Sequence, residues 1–494
     1  MLALMESYTG GSRTRRQTAT FNPFAGDADT DILYDLPTLR SRSRALVRNN
    51  ALAAGAIDTN VLNVVGSGLK FNAQLDREIV QLDDEQAAAW EAHAEREWRL
   101  FFETSECDAA RTLTGHELAA LTFRSVLENG DSFTVLPRFE RGDNPYGLHL
   151  QLVEADRVCN RDYQADSPSQ AAGVQKDRDT GAPVAYHIMR QHPGNLMYYQ
   201  CRSWDIIPAR DEGGVRNILH HYRVRRPGQT RGVPYLAPVI EQLKQIERLT
   251  DAELMASVVA SMFTVFVRSQ TGEARLDSAT DNTESLSGRK DRDYRLGSGA
   301  VVNLAENESI EIANPTRPNS SFEPFFLAIT RQIGIALGIP YEVLIKHFEA
   351  SYSASRAALL EAWKQFLTAR EWLAASFYQP IYETFLYEAI TAGRLEAPGF
   401  FSDPLIRQAY CTARWTGPSQ DQIDPEKEAR AAEKRLELGL TTRTEETMNL
   451  TGGDFNRNIA QIAKERKLMQ QAALPVPGGT VTDHTNDEDE DAVS

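Results

Sequence analysis

Arg226-Pro-Gly-Gln-Thr-Arg-Gly-Val-Pro234, then Pro238-Val-Ile-Glu-Gln-Leu-Lys-Gln-Ile246, and further on Gly338-Ile-Pro340 and Ser351-Tyr-Ser-Ala-Ser-Arg356 bound the stretch whose reading decides the fold. The first two segments open a helix that spans Tyr235 to Val267, about 50 Å at ~1.5 Å per residue. Its first half is amphipathic. Its second half, Leu254 to Val267, is apolar almost all round, which predicts burial in a core or against neighbouring copies. A basic, glycine-punctuated excursion with strand-like pieces fills 268–318. A second helix, Phe322 to Leu337, stops at Gly338-Ile-Pro340, and Ser351–Arg356 opens a third.

On the N-terminal side, residues 1–37 carry Gly10-Gly11, the cations Arg13, Arg15 and Arg16, and an acidic run from Asp27 to Asp35. They have little periodicity and read as an arm. Helical spacing begins at Thr38, a candidate N-cap, and continues through Leu46, Ile57 and Val65 to Gly66-Ser-Gly68. Further helices are expected over 83–102 and 115–127. From Asp131 the period changes to two, with Phe133, Val135, Leu148, Leu150 and Leu152, and strand-length pieces recur to Val224. The fold class is therefore α+β, a β-rich subdomain set between helical parts. On the C-terminal side a helix carries Trp363, Phe366, Trp372, Phe377 and Tyr378 before Pro380, which must kink or interrupt it. Charged helices are expected over 425–438 and 455–468. The chain beyond Lys467 has no Lys or Arg and ends in the acidic run Asp487–Asp491, which reads as a disordered tail.

Composition narrows the function. The 494 residues have a length prior of about three domains, and 41% hydrophobic with 25% charged residues is ordinary for a folded protein. Cys107, Cys159, Cys201 and Cys411 form no CxxC pair, which argues for a reducing compartment and against a disulfide framework or a zinc site. Neither a signal peptide nor a membrane-length apolar run is present. A net charge of −16 excludes a protein that grips DNA over its whole surface. It suits a conduit in which DNA slides without sticking.

Catalytic signatures fail one by one. There is no GxxxxGK[ST] loop. His116-Glu117 begins a zinc-protease helix, but Ala120 stands where the second His is needed. The Asp27-x-Asp29-x-Asp31 series lacks the Gly and the final Glu of a calcium loop. Ser287-Gly-Arg-Lys290 has no companion motif. His220 and His221 are adjacent in a strand and point to opposite faces. No active site, cofactor site or metal site is expected. Two basic sets remain: Arg289, Lys290, Arg292 and Arg295 in the excursion, and Lys346, His347 and Arg356 around Phe348 and Tyr352 in the link between helices. Aromatic side chains with nearby cations can touch a nucleic-acid backbone, and they can equally be buried at a helix junction.

Four segments together carry a resemblance: Arg48-Asn-Asn-Ala-Leu-Ala-Ala-Gly-Ala56 with Asn63-Val-Val-Gly-Ser-Gly68, Pro227–Pro234, Gly334-Ile-Ala-Leu-Gly-Ile-Pro340, and Tyr352-Ser-Ala-Ser-Arg-Ala-Ala358 with Glu361. In order and spacing the chain resembles the lambda-like portal proteins of tailed bacteriophages over roughly residues 35–440. The resemblance implies a structural protein, not an enzyme. It would form a homo-dodecameric ring at one capsid vertex of the virion, assembled in the host cytoplasm, through which double-stranded DNA is packaged and ejected. Implied partners are the large terminase subunit, head-completion or connector proteins, and the major capsid or scaffold protein. The implied organisation is an arm (1–37), a helical wing part (38–129), a β-rich wing subdomain (130–230), a first stem helix (231–267), a clip (268–318) and a second stem helix (319–339). A channel loop (340–356), a kinked wing helix (357–400), a crown (401–470) and the acidic tail (471–494) follow. Lys346, His347, Phe348, Ser351, Tyr352, Ser353 and Arg356 would then face the DNA channel, and the excursion arginines with Lys290 would meet a partner. A multidomain scaffold without a channel, or a phage hydrolase, is the alternative; ring formation and a metal or nucleotide requirement separate them.

Overall fold

The computed structural model describes residues 8–142, 144–195, 197, 203–261, 265–269, 308–312, 322–348, 351–419, 425–453 and 455–472. Arg289, Lys290, Arg292, Arg295, the Ser287–Lys290 motif and the tail beyond 472 lie outside them. The chain mixes helix and sheet and divides into two compact units, Met1–Ala237 with Glu342–Ser494, and Pro238–Tyr341.

In the first unit the acidic run is not a free arm. The Asp27 carboxylate accepts from Thr30 N at 2.7 Å and starts α1 (Ala28–Leu33). Asp29 then accepts from Thr230 N at 2.7 Å and pairs with Lys176 at 3.1 Å, while Asp31 pairs with Arg226. The single helix expected from Thr38 is two helices, α2 (Leu36–Asn49) and α3 (Ala51–Val64). Asn50 breaks them: its backbone is extended and its Oδ1 accepts from Leu52 N and Ala53 N, each at 3.1 Å, capping α3. Thr38 caps nothing, because Pro37 already lies in the first turn of α2.

β1 (Lys70–Ala73) and the short α4 (Arg77–Val80) lead to α5 (Asp84–Phe102) and α6 (Gly115–Asn129). Both of the longer helices begin with a reciprocal capping box, Asp83 with Gln86 and Thr114 with Glu117. Glu117, the second residue of the failed zinc motif, is therefore a capping residue. The β-rich part holds β2 (Asp131–Val135), β3 (Gln151–Val153), β4 (Gln170–Ala171), β5 (Val174–Lys176), β6 (Pro183–Met189), β7 (Trp204–Pro208) and β8 (Ile218–Tyr222). They form two antiparallel sheets ordered β3-β2-β8 and β4-β5-β6-β7, which share a core of Phe133, Val135, Val153, Val158, Val174, Tyr186, Ile188 and Ile218. The alternation expected through Leu148, Leu150 and Leu152 is only partly strand, since Leu148 and Leu150 are held by single bridges to Arg138 and Asp108.

The second unit contains α7 (Ile240–Ser261), the antiparallel pair β9 (Val265–Ser269) and β10 (Glu308–Ile312), and α8 (Phe322–Leu337). The helix expected to reach Val267 stops at Ser261, and Val265-Phe-Val267, rich in β-branched side chains, pairs with Ile310-Glu-Ile312 instead. α8 closes with Ile339 N donating to Gly334 O at 2.9 Å around Gly338 at φ +68°, a Schellman-type stop. A Cβ on Gly334 would sit 2.6 Å from Ile339 O, so the returning chain requires glycine there.

After α9 (Tyr341–Ile345), α10 (Tyr352–Leu373) passes through a π-helical turn, Ala374–Tyr378, into α11 (Gln379–Thr391). Pro380 neither ends nor sharply interrupts the path. It occupies the first turn of α11, where its missing N–H follows the wide turn. α12 (Pro404–Cys411) precedes β11 (Ala413–Thr416), which returns to pair with β1. Trp98 lies at the centre of the resulting aromatic core, 4.5 Å from Phe102 and 5.4 Å from Phe385 between ring centroids, with Phe71, Tyr382 and Trp415 around it. α13 (Pro425–Glu437), α14 (Arg443–Thr451) and α15 (Phe455–Gln471) complete the described chain.

Candidate functional site

The residues singled out in the sequence fall in two charged places, one interior and one exposed. The interior one begins with strand geometry. The pairing of β2 with β8 puts Asp131 and Phe133 on the same face as His220 and Tyr222, and Ser132 and Thr134 on the face of His221. Asp131 is fully buried, and α2 brings Arg40 Nη2 to its Oδ1 at 2.8 Å. Arg231, from the Pro227–Pro234 segment, brings Nε to Oδ2 at 2.5 Å. Arg231 also donates to three backbone carbonyls, Ala155, Val158 and Ala172, at 2.6 to 2.8 Å, and its guanidinium stands over the Phe133 ring. His220 Nε2 and Gly232 N each reach Asp131 Oδ2 at 3.3 Å.

Burial alone would raise the Asp131 carboxyl, but the charges of Arg231 and Arg40 and the bonds from His220 and Arg231 hold it far below its ordinary value. Burial pushes His220 down to about 4 and His221 down to about 3, so both rings are neutral. On the opposite face His221 Nε2 meets Thr134 Oγ1 at 2.9 Å. The histidines thus do not share a ligand. This network is a structural pin that joins α2, both sheets and the segment ahead of α7. Sequence reasoning missed Arg40 and Asp131. The contact itself needs two glycines, since a Cβ on Gly232 would fall 1.9 Å from Gly130 O, but no spacing along the chain pairs them.

The exposed place is the link from α9 to α10. Val343 and Leu344 are buried and anchor α9. Lys346 then turns the chain at φ +56°, and His347 N donates back to Glu342 O at 3.0 Å. Lys346, His347, Phe348 and Ser351 are exposed. Tyr352 and Ser353 open α10, so the segment expected to be loop through Arg356 is irregular only to Ser351. Arg356, in the second turn of α10, pairs with Glu428 of α13. Of the two cations expected to approach a phosphate, Lys346 is exposed, and Arg356 is tied to a neighbouring helix.

Several other reactive groups among the described residues are already engaged or buried. Cys107 and Cys411 are buried and pushed up to about 12 by that burial, which leaves them thiols at neutral pH. Among the described residues Glu154, Asp156 and His192 come close enough together to suggest a metal. Arg44 already pairs with both carboxylates, and Gly194 N donates to His192 Nδ1 at 3.0 Å. No helix of the described residues is long and apolar enough to cross a membrane.

In the second unit Leu243 and Ile246 of α7 and Ile333 and Leu337 of α8 are buried. Leu254, Met255 and Val258 of α7 and Phe325 and Ile335 of α8 are exposed, Ile335 at 81%. Among the described residues of α7, Leu254 and Met255 thus present apolar side chains to solvent in the single chain.

The sequence matches a known family over most of its length. The chain belongs to the lambda family of phage portal proteins, whose model, described as "Phage portal protein, lambda family", matches residues 14–370. It is 26% identical to portal protein B of Escherichia phage lambda over 493 residues, covering 95% of this chain and 90% of that one. It is likewise 26% identical to the portal protein of Escherichia phage N15 over 488 residues, covering 95% and 91%. Among solved structures, a chain from the virion of a native gene transfer agent particle is similar at 12% identity and a TM-score of 0.44, covering 84% of this chain and 93% of that one.

Proposed function

We propose that the portal protein assembles as a closed dodecameric ring at one vertex of a phage capsid. Double-stranded DNA passes through its centre, without regard to sequence, during packaging and ejection. The helix pair of the second unit forms the stem, and the excursion between β9 and β10, with Arg289, Lys290, Arg292 and Arg295, meets the large terminase subunit and later the head-completion or connector proteins. The major capsid or scaffold protein surrounds the ring, which matures from the host cytoplasm into the virion. It has no turnover of its own. The observation that supports this reading best is the set of large apolar side chains, Leu254, Met255, Phe325 and Ile335, exposed on the helix pair of one chain. A head-to-tail contact that closes on itself covers such side chains on every copy and leaves no sticky end. Lys346, exposed once per chain, becomes a band of positive charge when repeated around a ring, and holds phosphates loosely in an otherwise acidic protein. The purified protein imaged by electron microscopy should show closed rings with a central hole. A monomeric mass at micromolar concentration in both low and high salt would overturn the reading.

A further inference from the structure

A cleft of about 740 Å³ opens in the first unit between the turn after β7, α11 and α12. Its rim carries Arg210, Arg216 and Arg407, and Glu383 is the one carboxylate in its lining. Glu383 lies 3.9 Å from Arg216, too far for a hydrogen-bonded pair. Arg210 donates to Gly214 O at 2.7 Å, and Arg407 donates to Phe400 O at 3.1 Å. Those bonds aim the two guanidinium groups, and neither group is in an ion pair among the described residues. Within the cleft Tyr387 and Phe401 meet edge to face at 5.2 Å and are 37% and 49% exposed. The cleft therefore offers excess positive charge beside an open aromatic pair, on a chain whose net charge is −16. A ligand that fits carries several carboxylates next to a small apolar side chain.

We infer that the occupant is the chain's own acidic run, Asp487-Glu-Asp-Glu-Asp491 with Ala492 and Val493 beside it. The carboxylates meet the three arginines, and Val493 or Ala492 covers the Tyr387–Phe401 pair. Residues 473–486 contain no Lys or Arg to compete for the run. Partly exposed arginines bind such a run weakly and in a salt-dependent way, so the tail exchanges on and off the cleft.

The test is hydrogen–deuterium exchange on the full chain, comparing the native sequence with a neutralised tail: Asp487→Asn, Glu488→Gln, Asp489→Asn, Glu490→Gln and Asp491→Asn together. These changes lie outside the described residues. At low ionic strength, amides of 211–216 and 400–408 should exchange several-fold faster in the neutralised chain, and high salt should bring the native chain to the same rate. Arg216→Glu should release the same amides in the native chain and add nothing to the neutralised one. Identical exchange in the two chains, a difference confined to other parts of the molecule, or a difference that persists in high salt would each overturn the assignment.

Discussion

Asp131 shows how much one side chain can hold together. Its carboxylate is shared by guanidinium groups from α2 and from the segment ahead of α7, and it faces a neutral His220. Asp131→Asn keeps the shape and removes the charge, leaving Arg40 and Arg231 buried without a counter-ion. Such losses cost about 3–5 kcal/mol, so the thermal unfolding midpoint should fall by several degrees; an unchanged midpoint would show that the network relaxes around the amide. The buried histidines make the same region acid-sensitive. Their folded pKa values, about 4 for His220 and about 3 for His221, lie below the ordinary value. Below pH ~6.5 the unfolded chain therefore takes up protons that the folded chain refuses. Stability is full above that pH and is lost as pH falls toward 4, by up to about 1.4 kcal/mol per pH unit for each ring. In denaturant titrations between pH 6 and 4.5, His221→Gln should make this slope shallower by about one proton's worth. An unaltered slope would mean that His221 is not a group that titrates on unfolding.

Among the secondary-structure elements, those with strong local signals could be read in the chain, and those that depend on partners could not. α5 and α6 announce themselves by apolar spacing and by the capping boxes at Asp83 and Thr114, and α8 by its run to Gly338. The break at Asn50 was written in the same code, a side-chain cap before an alanine-rich turn, but continuous apolar spacing on both sides masked it. β1 and β11 carried no comparable signal, because two four-residue strands 343 positions apart have meaning only when paired. The exposed link behaves similarly. Its polar, aromatic character is visible in Lys346, His347 and Phe348, whereas the pairing of Arg356 with Glu428 depends on where α13 comes to rest.

For the whole molecule, the exposed apolar surface of the helix pair is where the proposed ring contact lies. If neighbouring copies cover it, Leu254→Asp with Met255→Asp should leave the fold of each chain intact and abolish rings, since burying two carboxylates against apolar partners is strongly unfavourable. Mass measurement in solution, with circular dichroism to check folding, reads this directly; rings of unchanged size would place the contact elsewhere. Periodicity, caps and glycine stops along the chain were enough to show the longer helices and the change to strand spacing at Asp131, because each of these rests on residues close together in sequence. The interior charges were settled only by the tertiary structure. Asp131 and Arg231 are 100 positions apart, Arg40 comes from another helix, and each residue by itself looks like surface. Burial turns them into a pin, because a charge removed from water is tolerable only where its partners are already in place.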